Sequence, residues 1–528
     1  MSVKKIFCIF AAVAVFSAVS AEEAAEKRTG QIELADSSTI IEETGIVPET
    51  EAIPDFSLLL PLEPTALPVL TEANISADML IQSQAPGADD AAGQDVFLEG
   101  AIGAGWPGFF SGDFQVYRNI GAEPFKLEFF HESVMGMGRH TAAEGYESQE
   151  TKLAGEKQFA LGESVLFDAA AGFETRTDAL QGKNPGFYDI SRQNITGSVS
   201  VNWQIQELLS FTGTVGGVFN TQFRGSSGAA ADTSSFNSVA STACLAFDKE
   251  KWGAGLNLAY DFGTSQNRFE AGLSAFAELG DYAGISATVS SLFAKQSSES
   301  VLVPFCLTVK TGPAASFTGS LSGGLKSYVV SPVTLQQVTP FLLTGTVPAE
   351  TTEWFGEAAA DIPLYDIGVL NMSAEYAMTA SGSRVLPDYT SLDATTGLMA
   401  LSDTEVSVLD SSFGVTIPLK VLNASFGWNA CWLDSTRYEK TRGASSALTA
   451  GVSFADEKSI WNAGADVLWA QDNDPEINLN GCFQVTKSVR LELDVQDVLS
   501  LITGKDRLIC NTYAERGGFA ALFVKVNF

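Results

Sequence analysis

Period-two alternation, repeated along most of the chain, is the feature that most restricts what it can fold into. The last dozen residues, GGFAALFVKVNF, show it plainly. Phe528, Val526, Val524, Leu522 and Ala520 are apolar, and the polar Asn527 and Lys525 fall between them. Strict alternation describes a strand with one apolar and one wetter face. The pattern starts near Gln94, where Val96, Leu98, Ile102, Ala104 and Trp106 share a face opposite Glu99. Phe125, Leu127 and Phe129 alternate with Lys126 and Glu128, and Val199, Val201, Trp203 and Ile205 with Ser and Asn. Trp252, Leu256, Leu258, Tyr260 and Phe262 oppose Asn257 and Asp261, and Phe269, Leu273 and Leu279 oppose Glu270 and Glu278. Later runs cover 370–378, 413–419, 422–432, 461–469, 477–485 and 489–495. Helical spacing fits none of them. Candidate strands number about 20–22, close-spaced as in hairpins, and barrels favour an even count. Segments 328–348 and 381–404 are irregular and read either as a hidden strand or as long loops.

Alternation suits a soluble sandwich with its apolar face inward, or a transmembrane barrel with that face outward. Three features favour the barrel. Trp252 and Tyr260 lie on one face eight residues apart, as do Trp461 and Trp469. Such a span, at ~3.3 Å per residue and tilted ~40°, approaches the ~25 Å apolar band between the aromatic girdles of a barrel. The opposite faces carry Gly, Ser, Thr and Asn mixed with acids, and lysine is scarce. The chain also opens with an export signal. Lys4 and Lys5 precede the apolar run Ile6 to Val19, and the small residues Val19-Ser20-Ala21 place cleavage after Ala21. That run is too short to span a bilayer as a helix, and no later segment is long enough.

Residues 22–92 differ in kind. Fifteen acids face Lys27 and Arg28, and prolines recur at Pro48, Pro54, Pro61, Pro64, Pro68 and Pro86. No long periodic element survives that spacing. The expected organisation is therefore a signal peptide (1–21), an acidic, mostly irregular periplasmic leader (22–92) and a barrel (93–528).

Charge and residue usage exclude several functions. With 63 acids against 31 bases, net −32, the chain repels phosphate, so no nucleic-acid partner is expected. Of the six cysteines, Cys244, Cys306, Cys431, Cys482 and Cys510 survive processing, scattered and without metal spacing. The histidines are His131 and His140; His131 follows Phe129 on an apolar face and reads as a strand-end residue. Without a Gly-x-Ser-x-Gly elbow, no enzymatic site is expected. Neither a metal nor a cofactor is expected. Asp472-Asn473-Asp474 and Asp89-Asp90 lack a calcium-loop pattern and read as solvated turns.

The alternating strand ending on Phe528, with Val526, Val524 and Leu522, resembles the assembly signal of bacterial outer-membrane barrels. Val489 to Leu501 (VRLELDVQDVLSL), the polar Lys505-Asp506-Arg507, then Arg516-Gly517-Gly518 and the closing strand resemble the end of a TonB-dependent receptor. Gly103-Ala104-Gly105-Trp106-Pro107-Gly108, Asp113-Phe114 and His131-Glu132-Ser133 resemble the first strands of plugless relatives. Those receptors carry a folded plug before the barrel, and 22–92 is too short and too proline-broken to form one. The resemblance implies an outer-membrane, antiparallel up-and-down barrel, with outer-membrane lipid and the barrel-assembly machinery as partners. A periplasmic partner reached through the leader is a further expectation.

The function expected is passive or gated passage of small solutes, porin-like or in the manner of a plugless receptor. The rival is a non-transporting surface or scaffold barrel that binds a partner through its loops or leader. Glu99, Asp261, Glu270, Glu278, Glu375, Asp466, Glu492 and Asp494 are expected to line the lumen and favour cations, with Trp252, Tyr260, Trp461 and Trp469 in the girdles. Deleting Phe528 should lower the heat-modifiable, membrane-inserted fraction of the protein. Normal insertion of that deletion would remove Phe528 from the assembly signal.

Overall fold

The computed structural model describes residues 96–527 apart from 119–123, 185, 226–231, 250, 264–266, 295–301, 313–314, 339, 345–349, 365–366, 383, 406, 420, 434–445, 457–459, 471–473, 510–511 and 515–516. The export signal, the acidic leader, Cys510 and Phe528 lie outside the described residues.

Alternation becomes a wall. A closed ring of 22 antiparallel strands forms, each paired with its neighbours in the chain. The first, Phe97–Trp106, pairs with the last, Phe519–Asn527, from Glu99 opposite Asn527 to Trp106 opposite Ala520. Closure satisfies every strand edge, which an open sheet in lipid could not do. Small residues make the seam fit. A Cβ on Gly103 would lie 2.3 Å from the Phe523 ring, and one on Gly105 only 2.2 Å from the Ala520 carbonyl oxygen. Gly105 sits between Phe109 and Ala521, and with no side chain there the Phe109 and Phe519 rings stack across the first strand at 5.0 Å.

The two faces of the wall have opposite chemistry. Leu256 and Leu273, opposite one another on Trp252–Gly263 and Asn267–Glu278, are 45% and 65% exposed. Asn257, one residue along, turns the other way and donates to Ser274 Oγ at 3.0 Å. Ile102, Leu321, Phe426, Leu493 and Leu522 continue the exposed apolar belt round the ring. A soluble monomer does not present a patch of that extent. Aromatic pairs flank the short turns, with ring centroids at 5.4 Å for Phe159–Phe167, 5.3 Å for Phe247–Trp252 and 4.9 Å for Phe454–Trp461. Trp106, Tyr260, Trp432 and Trp469 stand exposed toward the other rim.

His131 shows one departure from the sequence reading. It lies midway along Phe125–Met137, because pairing continues through Met135 opposite Glu147. It does fall on the outer face, beside the Phe110 ring and 2.9 Å from Thr151 Oγ1.

The two rims differ in their connections. The rim that holds Asn527 has short turns such as 161–164, 207–208, 279–282 and 487–488. The opposite rim carries 138–146, 180–188, 330–349, 383–406 and 497–518. Among the described residues, every helix and every hairpin outside the ring lies in a connection of this long-loop rim.

The face assignment makes a direct prediction. Leu256→Arg should cost ~2–4 kcal/mol near the midplane of the apolar belt, whereas Asn257→Arg should be tolerated. Urea unfolding of the refolded barrel measures both. Equal losses would mean that both faces are dry, and a larger loss for Asn257→Arg that they are reversed.

Candidate functional site

Inward-turned side chains of the strands bound the interior. Glu99, Asp261, Glu270, Glu278, Glu375, Asp466, Glu492 and Asp494 all lie on this face, alternating with the exposed apolar positions. They are distributed round the ring and do not converge on one point. Glu375 pairs with Lys326 at 2.7 Å, and Glu492 with Arg490 and Lys525, both at 2.8 Å. Glu270 faces Arg268 at 3.7 Å and accepts a hydrogen bond from Ser290. Tyr117 donates to Glu99 at 2.6 Å, Asn478 to Asp466 at 2.9 Å and Gln496 to Asp494 at 3.2 Å. Between these acids the wall carries hydroxyl pairs, such as Ser200 with Thr214 and Thr308 with Ser322, each at 3.0 Å. The free thiols of Cys244, Cys306, Cys431 and Cys482 are half-buried on the same face. Trp252, Tyr260, Trp461 and Trp469 are on the outer face and between 43% and 55% exposed.

At the long-loop rim the interior is crossed. Connections 180–188, 330–349, 383–406 and 497–518 leave the ring at separate places, yet they share one buried apolar cluster. Leu180, Leu335, Phe341, Val385, Leu398 and Tyr513 meet in it, and Tyr513 is fully buried. Tyr513 stacks on Phe341 with centroids 4.4 Å apart and donates its hydroxyl to the Gly397 carbonyl at 2.7 Å. Gln181 clasps Ala514, donating to its carbonyl and accepting from its N–H, both at 2.7 Å. The Met399 N–H bonds the Phe341 carbonyl at 2.9 Å. Four loops that share a core must span the opening between their roots, so they form a cap.

Polar side chains bind this cap to the wall. In the connection 330–349, Pro332 opens the short helix Pro332–Val338, at a position where its missing N–H costs nothing. Gln336 and Asn220 exchange side-chain hydrogen bonds at 2.9 and 3.1 Å. Gln222 donates to the Leu342 carbonyl at 2.9 Å and accepts from the Thr344 N–H at 3.2 Å. Arg192 donates to the Gln336 carbonyl and pairs with Asp178 at 3.2 Å. The hairpin Arg384–Leu392 with Met399–Thr404 is tied down by a bidentate pair, Arg384 to Glu353 at 2.7 and 2.9 Å. Glu353 is fully buried. Burial alone would lower the Arg384 guanidinium; its bonds to Glu353 and the nearby Tyr328 raise it above its ordinary value instead.

None of these cap anchors follows from alternation. The inward Asn220 and Gln222 do not stand out in the sequence, since other lumen-face amides such as Asn257 and Asn478 bond within the wall. The partners of Asn220 and Gln222 lie in a segment with no period of its own. Of the acidic turn at 472–474, Asp474 pairs with Lys505 at 3.0 Å, and the first two residues lie outside the described residues.

No protein-family profile matches the chain, and no curated protein does. Solved structures do. The FrpB iron transporter of Neisseria meningitidis aligns with a TM-score of 0.64 at 8% identity, over 83% of each chain. The ferric enterobactin receptor PfeA of Pseudomonas aeruginosa gives 0.61 at 10% identity, over 83% of this chain and 81% of that one. The copper transporter OprC gives 0.59 at 11%, over 82% and 80%. The barrel resembles those of TonB-dependent receptors. At these identities the likeness is one of fold.

Glu353→Gln would leave the Arg384 charge buried against a neutral partner. Removing one member of a buried pair costs ~3–5 kcal/mol, so the hairpin 384–404 should lose its protection against proteases while the ring stays folded. Limited proteolysis with mass mapping tests this. Wild-type protection would mean that the apolar cluster holds the hairpin unaided.

Proposed function

We propose that the chain is a bacterial outer-membrane barrel that passes small solutes through a polar, cation-favouring lumen. The observation that carries the reading is the division of one wall into an exposed apolar outer face and an acid-bearing, hydroxyl-lined inner face. Only a ring immersed in lipid and filled with water accommodates both. Short turns on one rim and long loops on the other match periplasmic and extracellular sides. The likeness to iron and copper transporters supports a transport role of this kind. Outer-membrane lipid covers the belt, the assembly machinery inserts the chain, and the leader is available to a periplasmic partner.

Residues 93–528 hold 48 acids against 27 bases. Among the lumen acids, Glu270, Glu375 and Glu492 pair with bases of the wall. Low-dielectric walls focus the field of the acidic excess, so cations concentrate and anions are repelled. The cap gives the scaffold reading its own support, because a mouth crossed by four packed loops also presents a fixed extracellular surface.

Reversal potentials of the purified full chain in planar bilayers, under a salt gradient, decide between ions. A cation preference that weakens as salt rises is expected, because the ~10 Å screening length at 0.1 M shortens further. Anion preference would overturn the acidic-lumen reading.

A further inference from the structure

Aromatic rings are spread unevenly over the lumen wall. By the parity of their strands, Phe97, Phe109, Tyr117, Phe130, Phe519 and Phe523 turn inward, and all stand on the first three strands and the last. Among the described residues, the strands from Val369–Gly382 round to Val489–Gln496 turn no ring inward. The rings at the seam follow one another along the passage. Cross-strand pairing sets Tyr117 opposite Phe97, and Phe130 opposite Asp113, which faces Ala101. Phe523 stands opposite Gly103 and Phe109 opposite Gly105. Counted on the first strand, rings thus occur at the heights of 97, 101, 103 and 105, and each step of two residues is ~6.6 Å. Phe97 and Tyr117 stack at 5.5 Å, and Phe523 meets Phe109 edge-on at 5.9 Å. A Cβ on Gly103 would lie 2.3 and 2.4 Å from two carbons of the Phe523 ring. That ring therefore lies against bare backbone, with its other face toward the lumen. Phe97, Tyr117, Phe130 and Phe523 are half-buried, and Phe109 and Phe519 are buried at the upper end. Charges of both signs flank the strip. Lys126 pairs with Glu128, Arg490 and Lys525 pair with Glu492, and Lys152 Nζ lies 5.7 Å from the Phe130 centroid.

We propose that this strip is a binding track for neutral polyhydroxylated solutes, that is, sugars, and that these are the solutes the lumen passes. A sugar ring has C–H faces and a rim of hydroxyls. Aromatic faces take the first, and the ion-paired side chains take the second through charge-assisted hydrogen bonds. An apolar lining with a few placed polar groups is the usual make-up of a small-molecule site. Because acids and bases are set side by side, a neutral solute is bonded by both, whereas an ion is drawn by one and repelled by the other. A succession of weak platforms suits passage, since a solute must be held well enough to enter and weakly enough to leave. The track rests on the passage reading of the preceding subsection and names its solute.

Four full-length proteins test it: the wild type, the double variant Tyr117→Ala with Phe130→Ala, the variant Phe130→Trp, and Phe276→Ala, whose inward ring lies over Gly253 on another part of the wall. Heat-modifiable mobility confirms the folded ring in each. Potassium chloride current through planar bilayers is titrated with maltotriose, cellotriose and raffinose, and with choline as an organic cation. At least one of the trisaccharides should reduce the wild-type current saturably. The double variant should need roughly tenfold more of that sugar, and Phe276→Ala as much as the wild type. Tryptophan emission of Phe130→Trp in detergent should change with the same sugar beyond any change in the wild type. A current that choline reduces and the sugars do not, or that nothing reduces, would overturn the track and leave passage standing. Equal sugar block in the wild type and the double variant, or an equal weakening in Phe276→Ala, would do the same. A folded wild type that fails to conduct would overturn passage. Sugar-dependent emission of Phe130→Trp would then still put the sugar on the rings, and unchanged emission would remove the track as well.

Discussion

The pairing of Phe97–Trp106 with Phe519–Asn527 is the contact on which everything else depends. Lipid offers no partner to a backbone N–H or carbonyl, so an unpaired strand edge inside the belt would be prohibitive. The chain must therefore bring together two strands some four hundred residues apart in sequence. Gly103 and Gly105 let it do so without a clash, and the stacked rings of Phe109 and Phe519 cover the join from inside. Lys525, on the last strand, reaches Glu492 on the strand before it and adds a charged tie on the same face.

Once the ring is closed, the period of two assigns each side chain of a strand to the outer face or to the lumen. The apolar residues are gathered on the outer face and do not fill a core, so the interior is free to be polar. That explains how inward positions can be Gly, Ser, Thr, Asn and acids without loss of stability. It also explains why the largest apolar cluster of buried residues lies in the loops. The loops of the cap leave the apolar belt, face water, and must bury their own Leu, Phe and Tyr against one another.

The cap meets the wall through groups the wall can offer, which are polar. Asn220, Gln222 and Arg192 on the wall meet Gln336 and backbone groups of Gln336, Leu342 and Thr344, while Glu353 meets Arg384 of the hairpin. The two attachments differ in kind. A buried ion pair loses much when one member leaves, because a charge stays behind without its partner. Neutral amides lose less, since water replaces each bond.

Alternation was enough to recognise a barrel of about 20–22 strands, and to tell which residues of each strand share a face. The parity of Leu256 and Asn257, or of Leu493 and Glu492, was readable because side-chain direction in a strand is a local property of the backbone. The segments 328–348 and 381–404 carried no such period, and there the residue order left strand and loop equally open. Their structure comes from partners far away in the chain. Gln336 and Asn220 are 116 residues apart, as are Tyr513 and Gly397, and closure of the ring is what brings their roots within reach. A periodic face is written residue by residue, whereas a cap is decided by which loops the closed wall places opposite one another.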